Sequence, residues 1–123
     1  MHSDNISVQH ENGVAVVLLE GEHDVYTAPA VTGKIEACLS AGKPIVVDLT
    51  GASFIDSSIL RALIMARNGS QERSLGFAVC LDQNEDSAVK RIFEVARAQE
   101  LFPVLPTQTE AIEAVLSAGN GSA

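Results

Sequence analysis

The sequence predicts a single α/β domain in which an N-terminal β-hairpin is followed by alternating helices and strands that form a mixed sheet packed with helices. Short β-branched runs alternate with stretches whose apolar residues recur every three or four positions. Gly, Pro and Asn separate these segments. A length of 123 residues, with 46% hydrophobic and 20% charged residues, suits one globular core. We therefore expect one domain over residues 1–123, ordered from 5 to 117, with a frayed tail at 118–123.

The first half of the chain predicts a hairpin, a helix and a buried strand. Asn12-Gly13 is a tight-turn signal between the runs 6–10 and 14–19. We expect residues 21–24 to form a loop and Thr27 to cap a helix that ends near Ala41. The nearly continuous apolar run 45–49 then predicts a central strand covered on both faces.

The second half predicts three helices and two further strands. A helix begins after Asp56, and Asn68-Gly69 is a natural C-terminal stop for it. Strands are expected at 75–81 and 104–105, and helices at 85–98 and 107–117. The last helix opens with a sequence similar to a capping box, Thr107-Gln108-Thr109-Glu110.

Charge and hydropathy exclude several classes of function. The net charge is −8 and the eight cationic residues are scattered, so no basic patch for nucleic acid is visible. The apolar runs are too short or too interrupted to span a bilayer. Residues 1–5 lack the features of a signal peptide. We expect a soluble cytoplasmic domain whose partner is a protein or a small molecule.

The two cysteines, Cys38 and Cys80, are expected to be buried and reduced. Their spacing from each other and from the three histidines matches no metal-binding motif. The sequence therefore predicts neither a metal site nor a cofactor.

The most informative segment is Asp56-Ser57-Ser58, which follows a strand and opens a helix. Free backbone N–H groups and the helix dipole favour an anion at this position. A serine there can be a cap, a nucleophile or a phosphorylation site. Helix capping by Asp56 and Ser57 is the simplest interpretation of the spacing, because Asp and Ser are both preferred N-caps. Catalysis is disfavoured because no nucleophile elbow or phosphate-binding glycine loop is present, and nothing in the sequence positions His10 or His23 as a base.

Helical periodicity divides the segment after Asp56 into two faces. Apolar residues predicted to face the core are Ile59, Leu60, Leu63 and Ile64. Residues predicted on the opposite face are Ser58, Arg61, Ala62 and Met65. An exposed Met65 beside small residues suits a docking face, although single exposed apolar residues are common on protein surfaces.

Three segments together resemble the anti-sigma factor antagonists, whose STAS domain also occurs in sulfate transporters. The first is 19–28, with a Gly-Glu-x-Asp loop that ends at Asp24 and leads into Thr27-Ala28. The second is the strand 46–50 followed by Phe54-Ile55-Asp56-Ser57-Ser58. The third is 87–93 followed by 101–104. The resemblance itself extends over nearly the whole chain, from the hairpin to the last helix, because the three segments occur in order and at the right separations.

The resemblance implies that Ser57 is phosphorylated by the partner, an anti-sigma factor that is also an ATP-dependent serine kinase. The unphosphorylated protein would occupy the anti-sigma factor and free the sigma factor. Phosphorylation would end this contact, and a separate serine phosphatase would restore the unphosphorylated, binding form. Residues assigned to partner binding are Asp24, Asp56, Ser57, Ser58, Arg61, Ala62 and Met65.

The sequence departs from the family at two positions after the serines. Ile59 and Arg61 stand where glycines are common, and Arg61 is four residues from Ser57, within reach of a phosphate there. Two other functions stay open at this point. One is a domain that senses a small molecule or nucleotide through the helix N-terminus, and the other is a constitutive scaffold subunit in which Ser57 is only a cap.

Overall fold

The computed structural model describes residues 5–121, and its elements alternate much as the sequence predicts. The strands are β1 (Ile6–Glu11), β2 (Val14–Leu19), β3 (Gly21–His23), β4 (Ile45–Asp48), β5 (Ala52–Ile55), β6 (Phe77–Cys80) and β7 (Val104–Leu105). The helices are α1 (Ala28–Ser40), α2 (Ser57–Glu72), α3 (Ala88–Ala96) and α4 (Gln108–Gly121), with a 3₁₀ turn at Ala98–Glu100.

The main sheet has five strands in the order β1-β2-β4-β6-β7. Only the β1–β2 pair is antiparallel, so the sheet is mixed, as predicted. Asn12 and Gly13 connect this pair with φ angles of 55° and 80°. Positive φ at both positions is typical of the tight turn that Asn-Gly favours.

Helices cover both faces of the sheet. Ile45 and Val47 of β4 belong to the larger apolar core. In this core, side chains of the β-strands pack with side chains of α1, α2 and α3. Val46, between them, packs instead with Ile112 and Val115 of α4. The prediction that the run 45–49 is covered on both faces is confirmed, because alternate side chains of β4 enter different apolar clusters.

A second, two-stranded parallel sheet joins β3 to β5. The prediction that residues 21–24 form a loop was wrong, since Gly21–His23 is a strand. A strand of three residues is too short to show the alternation by which strands are recognised. The pairing aligns His23 with Ile55, and therefore brings the residues that follow them close together.

Helix α2 continues past the stop expected at Asn68-Gly69 and ends at Glu72. Gly69 serves packing instead, because a Cβ there would lie 3.1 Å from Leu39 Cδ1 of α1. The chain turns after the helix through Ser74, whose φ is 58°.

The remaining boundaries differ from prediction by a few residues. Helix α3 begins after Ser87, whose hydroxyl accepts a hydrogen bond from the Lys90 N–H. It ends at Ala96, and Arg97 terminates it with a φ of 56°. Helix α4 includes the backbone of 118–121, part of the tail expected to fray, and the rest of that tail lies outside the described residues.

Both cysteines are buried free thiols, as predicted. Burial, and secondarily the charge of Asp48, raises the pKa of Cys80 to about 12. Burial also raises the pKa of Cys38, against the nearby charges of Lys43 and Lys34. Neither thiol therefore has the thiolate character that reactive cysteines need.

Candidate functional site

Two loops meet where the small sheet ends. Because β3 and β5 run parallel with His23 beside Ile55, the loop that starts at Asp24 lies next to the start of α2 at Asp56. The backbone N–H of Val25 approaches the Asp56 carboxylate and contributes to the lowering of its pKa.

Hydrogen bonds hold the first loop in shape around a fully buried histidine. The Nε2 atom of His23 donates to the Glu20 carbonyl oxygen at 3.0 Å, and its Nδ1 lies 3.1 Å from Thr27 Oγ1. The same Thr27 oxygen accepts from the Asp24 N–H at 3.1 Å, and an Asp24 carboxylate oxygen accepts from the Tyr26 N–H at 2.9 Å. Thr27 therefore stabilises the loop and does not cap α1 with its side chain, which corrects the prediction.

Asp56 is the N-cap of α2. One of its carboxylate oxygens accepts from the Ser58 N–H at 3.0 Å, from the Ile59 N–H at 3.3 Å and from the Ser58 hydroxyl. Burial favours the neutral acid, but hydrogen bonds from the Ser58 hydroxyl and from the Ile59, Ser58 and Val25 N–H groups outweigh it. The pKa of Asp56 is therefore below its ordinary value, and the carboxylate is charged at neutral pH.

The two serines differ in whether their hydroxyl groups are engaged in hydrogen bonds. Ser58 is half-buried and its hydroxyl donates to Asp56. Ser57 is the first residue of α2, is exposed, and has no hydrogen bond from its hydroxyl to any residue within 5–121. Since Asp56 performs the capping, the interpretation of Ser57 as a cap does not hold.

The prediction of which α2 residues face outward is correct for Arg61 and Met65 and wrong for Ala62. Met65 is 58% exposed and Arg61 is exposed. Ala62 is only 7% exposed. Because α1 packs alongside α2, the buried part of α2 is wider than a face directed only at the sheet would be.

A shallow groove of about 510 Å³ runs between α1 and α2, and we refer to it as the α1–α2 groove. Its lining residues are Val25, Ala28, Pro29, Thr32, Gly33, Ser58, Arg61, Ala62 and Met65. Val25 and the neighbouring Tyr26, which is 86% exposed, add apolar surface that our sequence reasoning missed. An apolar pair inside the polar turn between Asp24 and Thr27 was the signal available for them.

A second apolar groove of about 470 Å³ lies on the other side of the first turn of α2, and we call it the α3 groove. Its lining residues are Phe54, Ile55, Asp56, Ser57, Leu60, Arg91, Ile92, Val95 and Ala96. Val95 is 81% exposed. Ser57 thus lines the α3 groove, whereas Ser58 lines the α1–α2 groove. Arg91 had no sequence signal, since only the fold brings α3 beside Ser57.

Comparison with known proteins identifies the family. The STAS domain family matches residues 5–111. The chain belongs to the STAS domain family. One solved structure that it resembles, an anti-sigma factor antagonist from Mycobacterium paratuberculosis, is 30% identical, with a TM-score of 0.78 over 90% of this chain and 92% of that one. This STAS chain is therefore a member of the anti-sigma factor antagonist family.

More distant structures share the fold of this STAS domain. A putative anti-sigma factor antagonist from Thermotoga maritima is 17% identical, with a TM-score of 0.75 over 94% of this chain and 97% of that one. The Bacillus cell fate determinant SpoIIAA in its phosphorylated form is 19% identical, with a TM-score of 0.63 over 88% and 96%. No curated protein matches the chain at a significant level.

Two further findings concern membrane and metal. Within residues 5–121 no helix has the length and apolar character needed to cross a membrane. The same part of the chain contains no cluster of three or more His, Cys, Asp or Glu side chains that could hold a metal ion.

Proposed function

We propose that this STAS domain is an anti-sigma factor antagonist controlled by phosphorylation of Ser57. In its unphosphorylated form it binds an anti-sigma factor that is also a serine kinase, and the sigma factor is released. The kinase transfers the γ-phosphoryl group of ATP to Ser57 Oγ, which loses its proton, and ADP leaves. A serine phosphatase hydrolyses the phosphate and restores binding. Since the kinase needs ATP, this cycle belongs to the cytoplasm.

The observation that carries this proposal is the position of Ser57. Its hydroxyl is exposed and free of hydrogen bonds within the described residues, and it lies at the edge of an apolar groove. Ser58, in contrast, donates its hydroxyl proton to Asp56. Phosphorylation of Ser58 would remove that hydrogen bond and bring a phosphate against a carboxylate, so Ser57 is the favoured acceptor.

Charge explains how a phosphate at Ser57 would end the contact. A phosphoserine adds about −1.5 to −2 charges at neutral pH. The chain already has a net charge of −8, and the Asp56 carboxylate is adjacent. A charge enclosed in a protein interface must be paired, or it costs several kcal/mol in desolvation. A partner that packs over Ser57 would therefore be displaced.

The free domain, in contrast, tolerates the phosphate. Asp56 supplies the cap of α2, so modification of Ser57 removes no hydrogen bond that holds the helix. An anion in the first turn of a helix also interacts favourably with the helix dipole. The switch would thus act on binding without unfolding the domain.

The proposed partner surface extends from the α1–α2 groove across the first turn of α2 to Ser57, so that a bound partner covers the serine. Met65 and Val25 provide exposed apolar contacts, Arg61 provides a charge at the surface, and Ala62 forms part of the lining. Asp24 and Asp56 act mainly by shaping the loop and the helix start, because their carboxylates are engaged by backbone N–H groups. Ser58 contributes through the same cap.

The test is a pull-down of candidate anti-sigma kinases from the same genome with the purified chain, with and without ATP. We expect one kinase to be retained without ATP and released with it, and peptide mass spectrometry to locate the phosphate on Ser57. Retention that ATP does not affect would favour a constitutive scaffold. Binding of a nucleotide to the chain alone, with no kinase retained, would favour a sensing domain.

A further inference from the structure

The α3 groove brings a cation to the proposed phosphorylation site. Ser57 and Arg91 line the same groove, one from the start of α2 and the other from α3. Arg61, the cation closest to Ser57 along α2, lines the α1–α2 groove instead, together with Ser58. Ser57 therefore lies on the side of α2 that borders the groove lined by Arg91.

Arg91 is available for a new anionic partner. The neighbouring cations of α3 and its C-terminal turn are paired: Lys90 with Glu85 and Glu94, and Arg97 with Glu100. Arg91 is exposed and forms no ion pair within residues 5–121. The acidic residue in the lining of the α3 groove is Asp56, whose carboxylate already accepts hydrogen bonds from the start of α2.

We propose that the Arg91 guanidinium pairs with the phosphate of phosphorylated Ser57 and holds it over the α3 groove. This inference rests on the proposed phosphorylation of Ser57. A guanidinium presents several N–H donors in a planar fork that matches phosphate oxygens, and such charge-assisted hydrogen bonds are stronger than neutral ones. The apolar wall of the groove, formed by Leu60, Ile92 and Val95, limits competing hydration on one side of the pair.

The pairing gives the phosphorylated state a defined geometry. A phosphate held toward α3 links the start of α2 to α3 across the groove that both helices line. It also places the charge across the mouth of the α3 groove, beside the exposed Val95 and Phe54. Arg91 is thus a positioning residue for the modification.

The experiment uses the full chain with phosphoserine inserted at position 57 during translation, so that no kinase is required. Phosphorus NMR titrations give the second pKa of the phosphate in the otherwise unmodified protein, in Arg91→Gln, in Arg91→Lys and in Arg61→Gln. A paired guanidinium favours the dianion, so Arg91→Gln should raise that pKa by roughly 0.3 to 0.7 at low salt, as expected for loss of an exposed ion pair. Arg91→Lys should recover part of the difference, and Arg61→Gln should leave the pKa unchanged.

Two results would overturn the inference. One is identical titrations in Arg91→Gln and the parent protein, and the other is a shift produced by Arg61→Gln instead. Circular dichroism of each variant checks that folding is intact, which is expected because both arginines are exposed. Failure of the proposed function would show differently, as absence of phosphate on Ser57 after incubation with the kinase and ATP.

Discussion

Asp56, Ser57 and Ser58 are adjacent in the chain but differ in what their side chains contact. Asp56 accepts hydrogen bonds from the first turn of α2, and Ser58 donates one of them. Ser57 faces solvent. One residue of the three can therefore be modified without loss of the helix cap, which is what a reversible switch on a folded domain requires.

We expect Asp56→Ala to lower the free energy of unfolding by about 1 kcal/mol at neutral pH, because the side-chain cap of α2 is lost. Asp56→Asn, which can still accept from the same N–H groups, should cost much less. Urea denaturation of the three proteins measures the difference. Equal stabilities of the parent and Asp56→Ala would show that the cap contributes nothing.

The charge of Asp56 adds a pH dependence with a defined sign. Burial raises its pKa, but the hydrogen bonds to the carboxylate together lower the pKa by more than burial raises it. The pKa in the folded state is therefore below the pKa in the unfolded state. Its stabilisation is then present above the unfolded pKa of about 3.9 and is lost as the pH falls through the folded value. The advantage of the parent protein over Asp56→Ala should therefore shrink in acid, and an advantage that grew in acid would contradict the lowered pKa.

The role of a single residue could be predicted from the sequence when the groups that it contacts lie close to it along the chain. The Asp56 cap was read correctly from the sequence, because a cap and its donors lie within three residues. Thr27 was assigned the same task wrongly, since a buried His23 and the Asp24 N–H engage its hydroxyl instead. Arg91 could not be predicted, because it lines the same groove as Ser57 only through the packing of α3 against β5.

At the scale of elements, helix α2 contributes to two surfaces at once. Its C-terminal half packs closely on α1 at Gly69, and its outward face presents Met65 and Arg61. Helical periodicity separated the core face from the outward face correctly for most positions. It misplaced Ala62, since a hydrophobic pattern does not show that a neighbouring helix covers part of the outward face.

Met65→Glu should abolish detectable binding of the anti-sigma factor while the melting temperature stays within a few degrees of the parent, because the side chain is exposed in the free domain. Met65→Ala should have a smaller effect on binding, since it removes apolar contact without adding charge. Calorimetric titration and thermal unfolding measure the two quantities. Normal binding by Met65→Glu would remove the α1–α2 groove from the interface.

A pair of glycine substitutions tests the packing of helices on the sheet. A Cβ at Gly76 would clash with the Val115 carbonyl oxygen and Cα of α4, so Gly76→Ala should destabilise the domain by about 1–3 kcal/mol. Gly33→Ala is the control, because a Cβ there meets nothing within 4 Å and α1 should gain about 0.5–1 kcal/mol. Urea denaturation separates the two, and a neutral Gly76→Ala would mean that α4 is not held as described.

For the whole molecule, the order of helices and strands and the mixed sheet were predictable because long apolar runs repeat with clear periods. The small sheet was not, since β3 has three residues and β5 has four. That sheet nevertheless determines the site, because it brings Asp24 next to Asp56. The family motifs singled out Asp24 and Asp56 before any structural reason for their proximity was visible.

The central claim is that a phosphate on Ser57 controls binding to the anti-sigma factor, and the affinity of that complex tests it most directly. Calorimetry should compare the unmodified chain, the chain with phosphoserine at 57, Ser57→Asp and Ser57→Ala. We predict that phosphoserine weakens binding more than tenfold, which is about 1.4 kcal/mol, and that Ser57→Asp does so as well. Ser57→Ala should bind within about twofold of the unmodified chain, as expected for a neutral surface change. Equal affinities for the phosphorylated and unmodified chains would contradict the account.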